Sequence, residues 1–167
     1  MSVVEHKSGA PVSARCFVLT ISDTRTVESD ASGADIAGLL KGAGHEIVGR
    51  SLVRDDPAEV RRVVGHQLAD PHTQIIITTG GTGITSRDTT YEAIAGLLQK
   101  RLDGFGELFR VLSYQEIGSA AMLTRACAGT ANGKILFVLP GSENAVRLAL
   151  TKLIIPEIGH LLRELAR

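Results

Sequence analysis

The segment Thr79-Gly80-Gly81-Thr82-Gly83 is the densest concentration of chemistry-bearing backbone in this sequence. Three glycines within four positions allow a sharp turn and bring backbone N–H groups close to an anion. The segment lacks the Gly-Lys-Ser/Thr ending of a P-loop and does not match the dinucleotide fingerprint. A tight strand-to-helix connection is the plain alternative, but a turn alone needs fewer glycines, so anion binding is the favoured reading. Two acids accompany the loop, Asp55 and Asp88. An Asp before a helix is ordinarily a cap, yet each following helix has a better-placed one: Asp56 with Glu59, and Thr89 with Glu92. Asp55 and Asp88 are thereby left without an evident structural task. Paired carboxylates beside a phosphate-type loop suit Mg²⁺, which takes oxygen ligands together with substrate phosphates.

Further candidates are weaker. Arg87 either neutralises phosphate charge or lies exposed beside Asp88. Ser22 and Asp23 either meet a ligand or make a local turn, and the turn is the default. Pro140-Gly141-Ser142 either offers a second anion-approaching turn or enters a helix with Ser142 as cap. Asn144 is then a ligand neighbour or a solvated helix residue. The five His are scattered with no metal-ligand spacing to either Cys, which disfavours zinc. No Gly-x-Ser-x-Gly elbow is present.

These residues need elements to position them. Arg15–Ile21 is a nearly continuous apolar run, the pattern of a buried parallel strand, followed by a polar loop, Ser22–Ser29. Ile36, Leu39 and Leu40 form a helical stripe that stops at Gly42 and Gly44. Ile47–Val53 reads as the second strand. Asp56-Pro57-Ala58-Glu59 starts a helix whose apolar face is Val60, Val63, Val64 and Leu68. Gln74–Thr79 is the third strand and runs into the glycine loop. Thr89 and Glu92 open a helix through Ala93, Ile94, Leu97 and Leu98. The stretch 101–124 mixes helix-type stripes with Gly104, Gly106 and Gly118 and resists assignment. Asn132-Gly133 between Arg125–Ala131 and Lys134–Leu139 is a strong hairpin signal. Helical sequence broken at Pro156 closes the chain. The expected fold is α/β: a three-layer helix–sheet–helix sandwich with a mostly parallel sheet and one antiparallel strand. Ligands of such sheets bind beyond the carboxyl ends of the strands. Ser22-Asp23, Asp55-Asp56, the glycine loop and Pro140-Gly141-Ser142 all follow strand ends, so they meet at one rim.

The 167 residues fit one domain, expected over 14–167 behind a loose arm at 1–13. With 18 basic and 18 acidic residues the net charge is zero, and no basic stripe or aromatic platform points to nucleic acid. No run approaches the apolar length of a membrane span, and Met1–Pro11 lacks the apolar centre of a signal peptide. Cys16 and Cys127 sit apart in apolar runs and read as buried thiols, not a disulfide. A reducing, cytoplasmic setting is the expectation. Phe105, Leu108, Phe109, Leu112 and Tyr114 read as core or subunit contact.

The sequence resembles the MogA/MoaB family of molybdenum cofactor biosynthesis. Leu19-Thr20-Ile21-Ser22-Asp23, the glycine loop with Arg87-Asp88 and Glu92-Ala93, and Gly104-Phe105-Gly106-Glu107 with Phe109-Arg110 carry the likeness. So do Glu116-Ile117-Gly118 and Leu139-Pro140-Gly141-Ser142, and the pattern over 104–118 is nearer the MoaB branch. The resemblance implies a molybdopterin-binding fold and, in active members, adenylylation of molybdopterin by ATP with Mg²⁺, releasing pyrophosphate. It implies catalytic roles for Asp88 and Asp55, both as Mg²⁺ ligands. Thr79, Gly80, Gly81, Thr82, Gly83, Pro140, Gly141 and Ser142 would hold nucleotide and pterin phosphates, with Asn144 nearby. A homotrimer or homohexamer and a downstream molybdenum-inserting enzyme are further implications. Ser142-Glu143-Asn144 departs from the Ser-Pro-Lys of many MoaB members. The alternative function is a catalytically silent pterin-binding or regulatory partner of the same fold. A dinucleotide-dependent oxidoreductase is disfavoured, since the first strand leads into Ser22-Asp23-Thr24 and not into a glycine turn.

Overall fold

The computed structural model describes residues 13–167. The arm expected over 1–13 therefore lies outside the described residues, Ser13 excepted. Six strands form one sheet: β1 (Arg15–Ile21), β2 (Glu46–Val53), β3 (Ile75–Thr79), β4 (Lys100–Arg101), β5 (Cys127–Ala131) and β6 (Lys134–Leu139). Their spatial order is β2-β1-β3-β6-β5-β4. The first four in that order are parallel, while β5 runs against both of its neighbours. The reversal is made by Asn132 and Gly133, at φ 50° and 72°, a pair of left-handed residues that turns a two-residue hairpin with the sheet's own twist.

The helices are α1 (Ala31–Gly42), α2 (Pro57–Ala69), α3 (Thr90–Ala95), α4 (Asp103–Ile117), α5 (Glu143–Ala149) and α6 (Ile155–Leu165). Alternation along the strands divides the interior in two. Cys16, Val18, Ile75, Ile77, Ile135 and Phe137 face a core shared with α1, α4, α5 and α6. Phe17, Leu19, Ile21, Ile76, Leu136 and Val138 face the other core, closed by Val60, Val64 and Leu68 of α2 and by Ala93 and Ile94 of α3. Successive strand residues point to opposite faces, so a strand covered on both sides must be apolar throughout. The three-layer architecture and its mostly parallel sheet are as the sequence predicts.

One unassigned stretch gains its elements and one local expectation needs correction. The stretch 101–124 resolves into α4 and a 3₁₀ segment, Gly118–Leu123, set off by Gly118 at φ 66°. The chain also does not break at Pro156. The helix widens to a π turn over Leu150–Ile154 and continues as α6 with Pro156 in its first turn. That widening absorbs the missing N–H and the ring's clash with the preceding turn. Among the described residues no helix is long and apolar enough to cross a membrane.

Candidate functional site

The carboxyl ends of β1, β2, β3 and β6 share one rim of the sheet, and four loops meet there. Gly80 and Gly81 adopt φ of 100° and 69°. A Cβ at Gly80 would overlap the Ile21 carbonyl, and one at Gly81 would overlap the Thr90 hydroxyl. The backbone is thus both left-handed and crowded, which only glycine tolerates. The Gly80 amide donates to the Leu139 carbonyl at 3.0 Å. Thr79 Oγ1 donates to the Pro140 carbonyl at 2.8 Å, and Gly141 packs 3.4 Å from the Gly80 Cα as measured from a Cβ position. The two glycine turns therefore form one backbone surface.

Asp55 and Asp88 flank this surface, but neither is idle. The expected capping box at α3 does not form: Thr89 makes no side-chain cap. Its hydroxyl donates instead to Asp55 Oδ1 at 3.1 Å, and the Thr90 hydroxyl reaches the same oxygen at 3.4 Å. Asp55 holds the start of α3 from outside it, while Oδ2 lies 3.1 Å from the position a Gly81 Cβ would take. Glu92 turns away to an ion pair with Arg125. At α2 the expected cap does form, with Asp56 accepting from Ala58 and Glu59 amides at 2.8 and 3.3 Å. Its box is incomplete, because the Asp56 amide donates to the Arg54 carbonyl at 2.8 Å, while Glu59 lies 3.7 Å from Arg62.

Asp88 folds back over its own loop. Oδ2 accepts from the Thr85 amide at 3.1 Å and from the Thr85 hydroxyl. The Thr85 hydroxyl is the main cause holding the Asp88 carboxyl below its ordinary range; the Thr85 and Gly83 amides and the Arg125 charge assist, against burial. A Cβ at Gly83 would come within 2.5 Å of the same carboxylate, so Gly83 is the gap that admits Asp88.

Asp23 links the remaining pieces. Its Oδ1 accepts from the Asp55 amide at 3.1 Å and its Oδ2 pairs with Arg87 at 2.8 Å. Arg87 remains 76% exposed on its side chain, so its charge still faces solvent above the rim. Ser22 makes the local turn, accepting from the Thr24 and Arg25 amides at 3.2 and 3.0 Å. Ser142 caps α5 through the Ala145 amide at 3.2 Å. Asn144 is exposed two residues further on, in a depression with Glu116, Ile117, Arg147 and Lys152.

Three structural contributors escaped the sequence reading. Buried Asp30 caps α1 through the Gly33 amide at 2.9 Å and accepts from Thr20 Oγ1 at 2.7 Å and Arg50 at 3.2 Å. An Asp two residues before a Ser-Gly pair at a helix start was a usable cap signal. Arg25 donates to the Gly141 carbonyl at 3.2 Å and to Ser32 Oγ at 3.0 Å, and Ser32 itself donates to Gly141 at 2.7 Å. Arg125 donates from Nε to the Thr82 carbonyl at 2.9 Å and also to the Gly83 carbonyl. No local pattern marks Arg125, which lies about forty positions from the loop it touches.

Among the described residues, no group of three or more His, Cys, Asp and Glu could hold a metal by itself. Two acids and a backbone rich in N–H groups fit a divalent ion that arrives with phosphates better than a resident metal. Both cysteines are free and buried, in opposite cores. Burial pushes the Cys16 thiol up to about 12 and the Cys127 thiol up as well, which makes both poor nucleophiles.

Residues 17–160 match the family model described as "Probable molybdopterin binding domain". Molybdenum cofactor biosynthesis protein B of Bacillus cereus is 51% identical over 168 residues, covering 100% of this chain and 99% of that relative. A crystal structure of a molybdenum cofactor biosynthesis protein B superposes with a TM-score of 0.91 at 50% identity, covering 95% of this chain and 99% of that one. The tungsten cofactor synthesizing protein MoaB from Pyrococcus furiosus gives a TM-score of 0.85 at 38% identity, covering 95% and 100%. With fold and sequence in agreement along nearly its whole length, the chain belongs to the MogA/MoaB family of molybdenum cofactor biosynthesis proteins, within its MoaB branch.

Proposed function

We propose that the protein adenylylates molybdopterin. The terminal phosphate of the pterin attacks the α-phosphorus of ATP, the bond to the β-phosphate oxygen breaks, and adenylylated molybdopterin and pyrophosphate leave. The observation that carries this reading is the placement of two carboxylates, Asp55 and Asp88, against one glycine backbone surface. Asp55 spends Oδ1 on the two threonines and keeps Oδ2 toward Gly81, so it can both shape the loop and meet a cation. Mg²⁺ bound with the nucleotide would supply charge neutralisation at the phosphates, with Asp55 and Asp88 as its protein ligands.

The chain's own residues then do three things. The N–H groups of Gly81 and Thr82 and of the turn at Gly141 receive phosphate oxygens, since left-handed glycine turns expose successive donors. Arg87 adds a solvent-facing positive charge at the entrance, oriented by Asp23. The loop anchors fix this arrangement before substrate arrives, so catalysis is positioning and electrostatic stabilisation without a protein nucleophile.

The product is an activated pterin, so its consumer would be a metal-inserting enzyme. The exposed apolar stripe of Leu108, Val111, Tyr114 and Ile117 along α4 supports a homo-oligomer, in keeping with a trimer or hexamer. The free buried thiols accord with a reducing cytoplasm.

A single-turnover assay with molybdopterin, ATP and Mg²⁺, wild type against Asp88→Asn, tests the proposal. Adenylylated pterin from wild type, sharply reduced in the variant, is the expected result. One observation favours a second reading, a silent pterin-binding or regulatory protein. Both acids serve the fold through threonine hydroxyls, which would preserve them without turnover. Pterin binding by folded wild type with no adenylylated product would establish that reading instead.

A further inference from the structure

Arg125 stands two residues before β5, outside the rim loops, with its side chain 25% exposed. Its guanidinium is nevertheless spent almost wholly on the loop that carries Asp88. Nε donates to the Thr82 carbonyl at 2.9 Å, and one terminal nitrogen donates to the Gly83 carbonyl and to the Asp88 carbonyl at 3.4 Å. The other terminal nitrogen pairs with Glu92 in the first turns of α3. The plane lies 5.1 Å from the centre of the Tyr91 ring. One side chain thus binds the loop where it leaves the glycine turn and where it enters α3.

Between those points the loop has one other side-chain tie to the rim, the ion pair of Arg87 with Asp23 at 2.8 Å, and the Arg87 side chain is 76% exposed. Gly83, Ile84, Thr85, Ser86 and Arg87 are all exposed, and Ile84 is 70% exposed despite being apolar. Within the loop, the Asp88 amide donates to the Thr85 carbonyl at 3.1 Å, and the Asp88 carboxylate takes the Thr85 donors. Such internal bonds set the loop's shape but do not tie it to the sheet. A planar fork with five donors can span three carbonyls and an acid at once, whereas an ammonium is a single point.

We propose that Arg125 is a positioning residue that clamps residues 82–88 and so fixes where the Asp88 carboxylate stands relative to the glycine turn. The catalytic part of this inference rests on the adenylylation reading; the clamp itself does not. Displacing a reacting group by about 1 Å can cost about 10²-fold in rate. Arg125→Ala and Arg125→Lys should therefore lower kcat by about 10–100-fold while KM for ATP and for molybdopterin stays within about threefold. Guanidinium ion added at millimolar concentration should restore part of the activity of Arg125→Ala but not of Arg125→Lys, whose side chain fills the slot.

Amide hydrogen exchange supplies the readout that needs no turnover. In both variants the amides of 83–88 should exchange at least about tenfold faster, with β3 and β6 as protected as in wild type. Glu92→Gln, which removes one partner and leaves the carbonyl bonds, should change exchange in the loop by less than about threefold. Unchanged loop exchange in Arg125→Ala and Arg125→Lys would overturn the clamp, and so would faster exchange spread evenly through β3 and β6. Faster loop exchange with unaltered kcat would overturn the positioning role. If wild type makes no adenylylated pterin, the enzyme reading falls, and the exchange data still decide whether Arg125 holds the loop.

Discussion

The Thr89 hydroxyl donates to Asp55 Oδ1 at 3.1 Å, so a carboxylate just past β2 anchors the residue that leads into α3, 34 positions later in the chain. The bond joins the β2 exit to the α3 entrance across the glycine turn. It also makes Asp55 two things at once, a structural acceptor through one oxygen and a rim acid through the other.

Asp55→Asn and Asp55→Ala should therefore separate. The amide oxygen of Asn can still accept from Thr89, so Asp55→Asn should unfold within about 0.5 kcal/mol of wild type and lose adenylylation. Asp55→Ala removes the acceptor and should cost about 1 kcal/mol in addition to activity, the usual net value of a lost hydrogen bond. Urea titrations of the two variants, read beside the turnover assay, check both halves. Equal destabilisation by Asn and Ala would mean the Thr89 bond carries no stability.

The glycines divide in the same way between crowded and open positions. Gly81→Ala places a Cβ against the Thr90 side chain at φ 69° and should destabilise by about 1–3 kcal/mol. Gly38 lies in the middle of α1, exposed, with nothing within 4 Å of its Cβ position. Gly38→Ala should stabilise by about 0.5–1 kcal/mol, because it limits the unfolded chain and adds helix propensity. Denaturant midpoints that move the same way in both variants would contradict this division.

Periodicity and turn chemistry made most of the fold legible, and the reasons are local. The apolar run Arg15–Ile21, the Asp56-Pro57 helix start and the Asn132-Gly133 turn each state their own conformation, and all appear where expected. The rim was legible as topology: loops after parallel strands must share an edge. What could not be read was pairing over distance. Thr89 and Glu92 have the spacing of a capping box, yet Asp55 and Arg125 compete for them from elsewhere and win. Arg125 carries no local signal because its partners are backbone carbonyls, which every residue has.

The apolar stripe on α4 yields a prediction about assembly. Val111 and Tyr114 are 57% and 63% exposed on a helix whose opposite face buries Phe109. Such a stripe is uncommon on a monomer. Val111→Lys should shift the protein toward monomer without loss of secondary structure, as followed by light scattering on a sizing column and by circular dichroism. A monomeric wild type at micromolar concentration would remove the basis for the oligomer.

The thiols offer a direct test of the two cores. Cys16 and Cys127 are 0% and 4% exposed, with thiols raised by burial. Native protein at pH 8 should react with a thiol reagent only on the timescale of unfolding, while denatured protein should release two equivalents quickly. Fast reaction of one thiol in native protein would show that its core opens locally.

The acid limb of stability should depend on Asp88. The Thr85 hydroxyl, aided by the Thr85 and Gly83 amides and by Arg125, holds its folded-state carboxyl below the unfolded value. A depressed acid contributes stability that is fully present above its unfolded pKa and is lost as pH falls through the folded one. The unfolded state binds the proton first, so acidification favours unfolding across that window. Asp88→Asn cannot titrate, and its free energy of unfolding should fall less steeply than that of wild type below about pH 4. Glu92, lowered chiefly by its hydrogen bond to Arg125, acts in the same direction, so Asp88→Asn should flatten the limb without abolishing it. Urea titrations between pH 7 and 3 check the slopes. Parallel curves for wild type and variant would mean that the Asp88–Thr85 contact does not distinguish the folded from the unfolded chain.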